Sequence, residues 1–252
     1  MIRMITENDI PILKTMSRKD LFLSRILCNY EAYGKTNIAD FWVQTQEGRL
    51  NNVLCRVDDV MTICHVSDGN SDELDGFLYA VGVNTVLCDG NFADTHFPGL
   101  ATTGPILHYD NREMLECDFA FRRNPPLKEL YQILKKCHSD TFQVPEWEPF
   151  YLDFSHRIRH NCALSIGVPD DKEKLCACGF TVSQTEYAAI LGAICVEPHH
   201  RRKGYGKKVV AALLSQLPQN DVYVFRDENE NKEFYETIGF TECGRWGEIH
   251  RK

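Results

Sequence analysis

The chain has 252 residues, a length that accommodates two domains, and its hydrophobic and charged fractions of 43% and 25% are ordinary for a globular protein. The net charge is −8: residues 1–112 contribute −6 (9 Lys and Arg, 15 Asp and Glu) and residues 113–252 contribute −2 (19 and 21). Because an acidic surface repels phosphate backbones, this charge argues against a nucleic-acid partner. The acidic residues of the first half either form a solvated surface or attract a cationic substrate.

The cysteines and the apolar runs indicate the cellular compartment in which the protein is expected. There are 11 scattered cysteines, whereas the disulfide scaffolds of secreted proteins are short and evenly paired. The first residues contain no apolar signal-peptide core, and no apolar run has the length of a membrane span. We therefore expect a cytoplasmic protein with reduced thiols and no membrane partner.

The first half predicts a mixture of helices and strands. Apolar residues recur with a helical period across residues 8–33, which predicts one helix there. No phosphate-binding loop occurs in this half. Two strands, a helix and a third strand are expected to follow, at residues 53–57, 60–66, 71–80 and 85–88.

A cluster of Pro, Gly and Thr between Phe97 and Asn111 is the best linker candidate. We place the domain boundary near Asn111. This divides the chain into an N-terminal α/β domain of residues 1–111 and a second domain of residues 112–252.

The second half predicts an α/β fold around one central strand. Residues 187–196 are almost wholly apolar, as expected of a strand buried on both faces. Gly239 stands where a helix end favours positive φ. The other predicted strands are 114–121, 162–168, 175–182, 221–225 and 240–249, and the predicted helices are 125–134, 145–159, 206–217 and 231–238.

The segment from Ile194 to Lys207 runs from that strand, through a basic glycine loop, into a helix. A helix start leaves backbone N–H groups unpaired and carries positive partial charge. Gly204 and Gly206 remove side chains that would keep a phosphate from the backbone. The segment therefore predicts a pyrophosphate site. Four side chains add attraction for a dianion: Arg201, Arg202, Lys203 and Lys207.

Two common phosphate motifs do not match this loop. A Walker loop needs a glycine where Arg201 stands and a Ser or Thr where Lys208 stands. A dinucleotide fingerprint needs a third glycine, and that position holds Val209. The phosphate ligand is thus neither a Walker-bound nucleotide nor a Rossmann-bound dinucleotide.

The spacing Arg201-x-x-Gly204-x-Gly206 resembles the acetyl-CoA-binding motif Q/R-x-x-G-x-G/A of the GNAT (Gcn5-related N-acetyltransferase) superfamily. Residues 231–240, Asn-Lys-Glu-Phe-Tyr-Glu-Thr-Ile-Gly-Phe, resemble the family segment that contains Phe-Tyr-x-x-x-Gly-Phe. The order of elements also agrees across residues 113–252. The resemblance implies a mixed-sheet α/β fold with a GNAT-like acyltransferase domain in the C-terminal half. The first half is then a smaller α/β domain or a degenerate copy of the same kind.

The resemblance implies roles for individual residues. The strand backbone would pair with the pantetheine arm of CoA, and amides near Val196 would polarise the thioester carbonyl. Asn231 would hydrogen-bond the pantetheine, and Tyr235 would protonate the leaving thiolate. The strand residues are Ile194, Cys195 and Val196, and the loop residues around the pyrophosphate are Arg201, Arg202, Lys203, Gly204, Tyr205, Gly206 and Lys207.

The implied activity is direct transfer of an acetyl group from acetyl-CoA to a small-molecule or peptide amine, without a metal. The family often places an acidic base inside the central strand, but residues 188–196 contain no acid. Glu186, at the entry of the strand, is the nearest carboxylate in sequence. The alternatives are that Glu186 is a plain surface acid, or that the base acts through water.

Other interpretations stay open at this point. The chain could bind acyl-CoA as a sensor or pseudoenzyme without turnover, because the central strand lacks a base. Cys195 could be a nucleophile for a covalent relay or simply a small buried side chain. Tyr235 could likewise be a core aromatic residue.

Overall fold

The computed structural model describes residues 1–109, 117–139, 142–218, 221–228 and 230–251, and these form two compact units. The predicted boundary at Asn111 lies outside the described residues. Dividing the chain at one position does not separate the two units, because two C-terminal segments cluster with the N-terminal part of the chain. The first unit is Met1–Leu107, Phe225–Lys232 and Glu242–Lys252, and the second is His108–Val224 and Glu233–Thr241.

The first unit is built on a mixed sheet with strand order β1-β2-β3-β4-β5-β12-β6. Its strands are β1 (Ile2–Met4), β2 (Ala39–Gln46), β3 (Arg49–Val57), β4 (Val60–His65), β5 (Thr85–Asp89), β6 (Ala101–Tyr109, whose last two residues cluster with the second unit) and β12 (Thr241–His250). Its helices are α1 (Ile10–Ser17), α2 (Leu21–Tyr33), α3 (Ser71–Ala80) and α4 (Gly90–His96).

The core of the first unit joins the sheet to α3 and α4. Alternate residues of the strands and the apolar face of α3 supply it, as the periodicities of strands and helices require. Ile249 of β12 is 1% exposed and belongs to this core, so the last strand of the chain is part of the first unit. The buried residues are Leu54, Met61, Ile63, Leu74, Leu78, Val83, Val86, Cys88, Ala93, Phe97 and Ile249.

The first half of the chain differs from the predicted elements at three places. Residues 8–33 form two helices, because the side chain of Asp20 accepts a hydrogen bond from Leu23 N and starts α2 anew. Strand β2 was not predicted. The expected linker at residues 97–111 instead contains β6, in which Gly104 lies so close to Arg226 and Trp246 that a Cβ there would collide with both.

The second unit is built on a sheet with strand order β11-β10-β9-β8-β7, in which β10 and β11 are parallel and the other pairs are antiparallel. Its strands are β7 (Arg122–Arg123), β8 (Ser165–Pro169), β9 (Leu175–Gln184), β10 (Ala188–Val196) and β11 (Asp221–Phe225). Its helices are α5 (Leu127–Cys137), α6 (Trp147–Arg159), α7 (Tyr205–Ser215) and α8 (Lys232–Glu236).

Helices α5 and α6 cover one face of this sheet. The buried residues of α5 follow a helical spacing of three and four, at Leu130, Leu134 and Cys137. They pack with Phe150 of α6 and Phe180 of β9 in a single apolar cluster. Cys178 and Phe180 of β9 therefore lie on the sheet face that α5 and α6 cover.

Most predicted elements of the second half are confirmed, with one exception. The expected strand at 114–121 lies partly outside the described residues, and its described part, residues 117–121, has no strand. Gly239 has φ of 108°, as its position after a helix predicted. Among the described residues, no helix is long and apolar enough to cross a membrane.

Candidate active site

The central strand β10 separates from its parallel neighbour part-way along its length. In the described residues the β10–β11 ladder runs from Ala188 opposite Asp221 to Leu191 opposite Val224, whereas β10 continues to Val196. Its pairing with β9 shifts register after Ile190 and again between Gly192 and Cys195. Within the second shift Ala193 has φ of 50°. A bulge of this kind bends the strand and leaves backbone groups of residues 192–196 able to pair with an added extended chain.

The loop after β10 turns sharply into α7. A short 3-10 turn at Pro198–His200 is followed by Arg202 with φ of 59° and by Gly204 with φ of 83°, which is the N-cap of α7. The first bond within the helix is from Lys208 N to Gly204 O, at 3.1 Å. The amides of residues 205–207 therefore precede the helical hydrogen-bond ladder and have no acceptor within it.

Glycine suits the two loop positions, 204 and 206, for different physical reasons. A Cβ on Gly204 would meet nothing within 4 Å, but its φ of 83° is one that side chains rarely adopt. A Cβ on Gly206 would lie 3.1 Å from the ring of Phe234 and 3.8 Å from Val196. The small size of Gly206 thus serves packing against α8, and the expectation that both glycines admit a phosphate stays a prediction.

Two polar contacts fasten the loop to the rest of the second unit. The side chain of Arg201 donates from Nε to the carbonyl of Val196, at 3.2 Å. Glu197 is largely buried, and one of its oxygens accepts a bond from Lys136 Nζ at 2.6 Å. Arg201 was expected to attract phosphate, but its Nε instead joins the strand end to the loop. The side chains of Arg202, Lys203 and Lys207 are exposed.

Three cysteines meet beneath the end of β10. Cys195 lies opposite Cys178 on β9, and Cys137 of α5 contacts Cys195 and the carbonyl of Val196. The hydrogen bond with Cys137 lowers the pKa of the Cys195 thiol, but the bond with Cys178 and burial outweigh it and raise that pKa to about 12. A thiol that stays protonated is a poor nucleophile, so this geometry argues against a covalent relay through Cys195.

Tyr235 lies in α8 and is 9% exposed. Its ring makes edge contacts with Phe234 and Phe240, at centroid distances of 5.0 and 5.5 Å. Asn231, just before the helix, has φ of 58° and clusters with the first unit. The ring of Tyr235 is therefore a core residue of the second unit, whatever its hydroxyl does.

Glu186 does not lie beside the separated part of β10. It is exposed in the turn between β9 and β10, two residues before β10 begins. The six residues from Glu186 to Gly192 span about 20 Å in an extended chain. This geometry speaks against direct proton abstraction by Glu186.

The fold brings together one histidine–carboxylate pair that the sequence did not predict. His108 of β6 lies 3.2 Å from Asp221 of β11, measured from Nε2 to Oδ1. Its ring lies 4.9 Å from the ring of Tyr223, with an angle of 30° between the planes. His108 stands in the segment expected to be a linker, so no sequence signal pointed to it.

The sequence of the second unit matches a family model. Residues 127–240 match the model described as the acetyltransferase (GNAT) family. Residues 127–240 form a GNAT acetyltransferase domain. The resemblance seen in the glycine loop and in residues 231–240 is thereby confirmed for the family. No curated protein sequence matches the chain at a significant level.

Solved structures resemble the chain over its whole length. A Drosophila protein of structural genomics has a TM-score of 0.65 and 12% identity, with 98% of each chain covered. A GNAT-family acetyltransferase from Colwellia psychrerythraea has a TM-score of 0.56 and 17% identity, with 100% of each chain covered. A tandem GNAT protein from the clavulanic acid biosynthesis pathway has a TM-score of 0.56 and 12% identity, covering 98% of this chain and 97% of its own. These likenesses concern the fold: a mixed α/β chain with a GNAT domain in its C-terminal half.

The start of α7 in the GNAT domain offers a site for an anion. The left-handed Gly204, the amides at the start of α7 and the exposed cations beside them form an anion site. Among the described residues, no group of three or more His, Cys, Asp or Glu side chains is placed to hold a metal ion.

Proposed function

We propose that the chain is an N-acetyltransferase that uses acetyl-CoA and an amine acceptor. The observation that carries the proposal is the continuous path from the bulged end of β10 to the glycine loop. Residues 192–196 offer backbone groups in an extended strand. The amides of residues 205–207 follow after the loop of residues 197–204. An extended arm ending in a pyrophosphate fits this succession of an open strand edge and a helix start.

The residues of the site would divide the work as follows. The backbone of Ile194, Cys195 and Val196 pairs with the pantetheine arm, and an amide near Val196 polarises the thioester carbonyl. Asn231 binds the pantetheine. The amides of Arg202, Lys203, Gly204, Tyr205, Gly206 and Lys207 surround the pyrophosphate.

In the proposed reaction the amine nitrogen attacks the thioester carbon directly. The C–N bond forms, the C–S bond breaks, and Tyr235 donates a proton to the departing sulfur. The net products are an amide, free CoA thiol and one proton released from an initially protonated amine. The protein contributes mainly by holding the reactants together and by stabilising the charge that develops on the carbonyl oxygen.

The proposal is tested by reversing charge on the loop without disturbing its backbone. Arg202→Glu with Lys207→Glu places two anions beside the proposed pyrophosphate, and both side chains are exposed. We expect the affinity for acetyl-CoA, measured by calorimetry, to fall about 10- to 100-fold, and the loss to shrink at high salt. Gly206→Asp is a poorer test, because it would also strike Phe234.

A matched control is the pair Arg123→Glu and Lys128→Glu, which makes the same charge change at exposed positions outside the loop. This control is expected to bind acetyl-CoA within about threefold of the parent protein, since exposed charges away from a site are screened. Equal affinity in the loop variant and the control would remove the pyrophosphate assignment.

The second candidate function is an acyl-CoA sensor without turnover. It is favoured by the absence of an acid in β10 and by the exposed position of Glu186. A thiol-release assay across a broad panel of amines separates the two functions. Binding of acetyl-CoA with no release above the hydrolytic background would select the sensor.

We further propose that the first unit is a degenerate GNAT-like domain without a cofactor loop. The likeness of the whole chain to a tandem GNAT protein supports this. Residues 1–107 contain no counterpart of the glycine loop.

A further inference from the structure

The second unit contains a histidine–carboxylate pair, His108 and Asp221, to which no role has been given. His108 Nε2 lies 3.2 Å from Asp221 Oδ1, and the two side chains are 26% and 54% exposed. Tyr223 stacks on the imidazole ring. A carboxylate that fixes one ring nitrogen orients the imidazole and stabilises its protonated form, which is the arrangement of a general base.

The pair lies on the same sheet face as Ile190 of the central strand. Residues opposite each other in a parallel pair project to the same side, and Tyr223 lies opposite Ile190. Asp221, two residues from Tyr223, shares its face, whereas the intervening Val222 is fully buried on the other face. At this position the central strand carries the buried apolar side chain of Ile190, and the histidine–carboxylate pair lies on β6 and β11.

The direction of the proposed cofactor path brings the reacting group toward this pair. The pyrophosphate of the proposed cofactor lies at the loop beyond Val196, so its acyl end points back along β10. It points toward the closed end of the gap that opens where β10 and β11 separate. That closed end is the pair of Leu191 and Val224, the last partners of the parallel ladder. Tyr223 is the next residue before Val224. The acceptor amine would therefore approach near Tyr223, and the ring of His108 lies beside that of Tyr223.

We propose that His108, oriented by Asp221, accepts the proton of the acceptor amine, directly or through one water. This deepens the proposed N-acetyltransferase function and rests on it. An ammonium R–NH3+ gives a proton to the imidazole, and the neutral amine attacks the thioester carbon. The C–N bond forms and the C–S bond breaks. The nitrogen loses a second proton as it becomes an amide, and the CoA sulfur gains one proton. His108 releases the first proton to solvent. The titratable side chains in contact with His108 in the described part of the domain are those of Asp221 and Tyr223.

The first test is His108→Gln assayed with an alkylamine at neutral pH. Glutamine keeps the size of the side chain and can still hydrogen-bond Asp221, but it cannot take up the proton. We expect kcat to fall about 100- to 10,000-fold while the affinity for acetyl-CoA changes less than twofold. In the variant, kcat should rise only at the higher pH where the alkylamine itself loses its proton, because no protein group then accepts that proton.

Two further measurements separate a chemical role from a structural one. An arylamine is already unprotonated at neutral pH and needs no base before attack, so His108→Gln should lose less than about tenfold with it. Asp221→Asn should keep part of the activity, because asparagine can still hydrogen-bond the ring nitrogen and hold the orientation of His108. The matched control is His250→Gln, which removes an exposed histidine paired with Glu248 in the first unit and should leave kcat unchanged.

The outcomes distinguish this proposal from the proposed function. If the parent protein transfers acetyl groups but His108→Gln retains kcat and the pH profile, the role of His108 is overturned and the function stands. Equal losses with alkylamine and arylamine acceptors would also overturn it, since they would indicate a structural defect. If the parent protein binds acetyl-CoA and acetylates no amine, the function and the role of His108 both fall.

Discussion

At Tyr235 the ring and the hydroxyl serve different purposes. The ring contacts Phe234 and Phe240 and fills the core of the GNAT domain. Phe234 in turn leaves no room for a side chain on Gly206, so the start of α7 and helix α8 are packed against each other. A substitution that keeps the ring isolates whatever the hydroxyl contributes.

Tyr235→Phe should therefore impair the chemical step and leave binding intact. A thiolate leaving group is stabilised by a proton only as the C–S bond breaks, so the benefit is concentrated in the transition state. We expect kcat and kcat/KM to fall together by about ten- to a thousand-fold, with the affinity for acetyl-CoA nearly unchanged. Steady-state kinetics and calorimetry on the same preparation measure both. Loss of affinity at normal turnover would instead make Tyr235 a packing residue.

Asp9 predicts a pH-dependent contribution to the stability of the first unit. Hydrogen bonds from the Arg3 guanidinium, and then from the backbone and hydroxyl of Thr6, hold the pKa of Asp9 well below its usual range. A carboxyl with a lowered folded pKa stabilises the fold above its unfolded pKa of about 4 and loses that contribution as pH falls through the folded value. Asp9→Asn should lower Tm at pH 7.

The measurement is Tm by calorimetry from pH 7 to pH 2. The difference between Asp9→Asn and the parent protein should be constant down to about pH 4 and then shrink. Glu47→Gln, which neutralises another exposed carboxylate of the first unit, serves as the control. A difference that stays constant to pH 2 would contradict the ion-pair explanation.

At the scale of elements, the break between α1 and α2 shows how one side chain divides a helical pattern. The apolar period continues across the break, and both helices bury residues such as Leu13 and Leu23. Asp20 has extended backbone geometry, with φ of −135°, and its carboxylate caps the next helix. The local capping bond therefore decides where α2 begins, although the periodicity alone predicts one helix.

Asp20→Ala should remove that cap and destabilise the protein by about 1 kcal/mol, which corresponds to roughly 2–4 °C in Tm for a chain of this size. Asp20→Asn keeps an oxygen that can accept from Leu23 N and should lose much less. Thermal unfolding followed by circular dichroism compares the two variants. Equal losses for alanine and asparagine would show that the carboxylate charge, rather than the cap, is responsible.

At the scale of the whole chain, the C-terminal strand belongs to the first unit. Residues Trp246–His250 of β12 pair with residues 85–89 of β5, and Ile249 is buried in the core of that unit. A first half without β12 would expose the edge of β5 and part of this core. Exposed strand edges of this kind favour aggregation.

The fragment 1–111 should therefore not fold alone. We expect it to show no cooperative thermal transition, whereas co-expression with residues 112–252 should restore one, because β12 is then present. A full-length chain with a protease site after residue 111, cut after folding, is the matched control and should keep its transition. Cooperative unfolding of fragment 1–111 by itself would mean that β12 is dispensable for the first unit.

The sequence by itself determined the features that depend on local chemistry. The glycine spacing at Gly204 and Gly206, the apolar run of β10 and the segment at residues 231–240 predicted the family, and the family match confirms it. Helix α3 and the hairpin of β3 and β4 were predicted correctly, because capping residues and strand alternation act within a few residues. The order of elements in the second half followed for the same reason.

Only the tertiary structure decided which distant segments meet. The pairing of β12 with β5 joins segments more than 150 residues apart, and no local pattern encodes that choice of partner. Strand β6 reads as a linker because Gly104 and Pro105 are turn formers, yet close packing against Arg226 and Trp246 requires a glycine there. The meeting of His108 with Asp221 depends on the same strand. Strand pairing and close approach are long-range properties, and for that reason the candidate base appears only once the sheet is assembled.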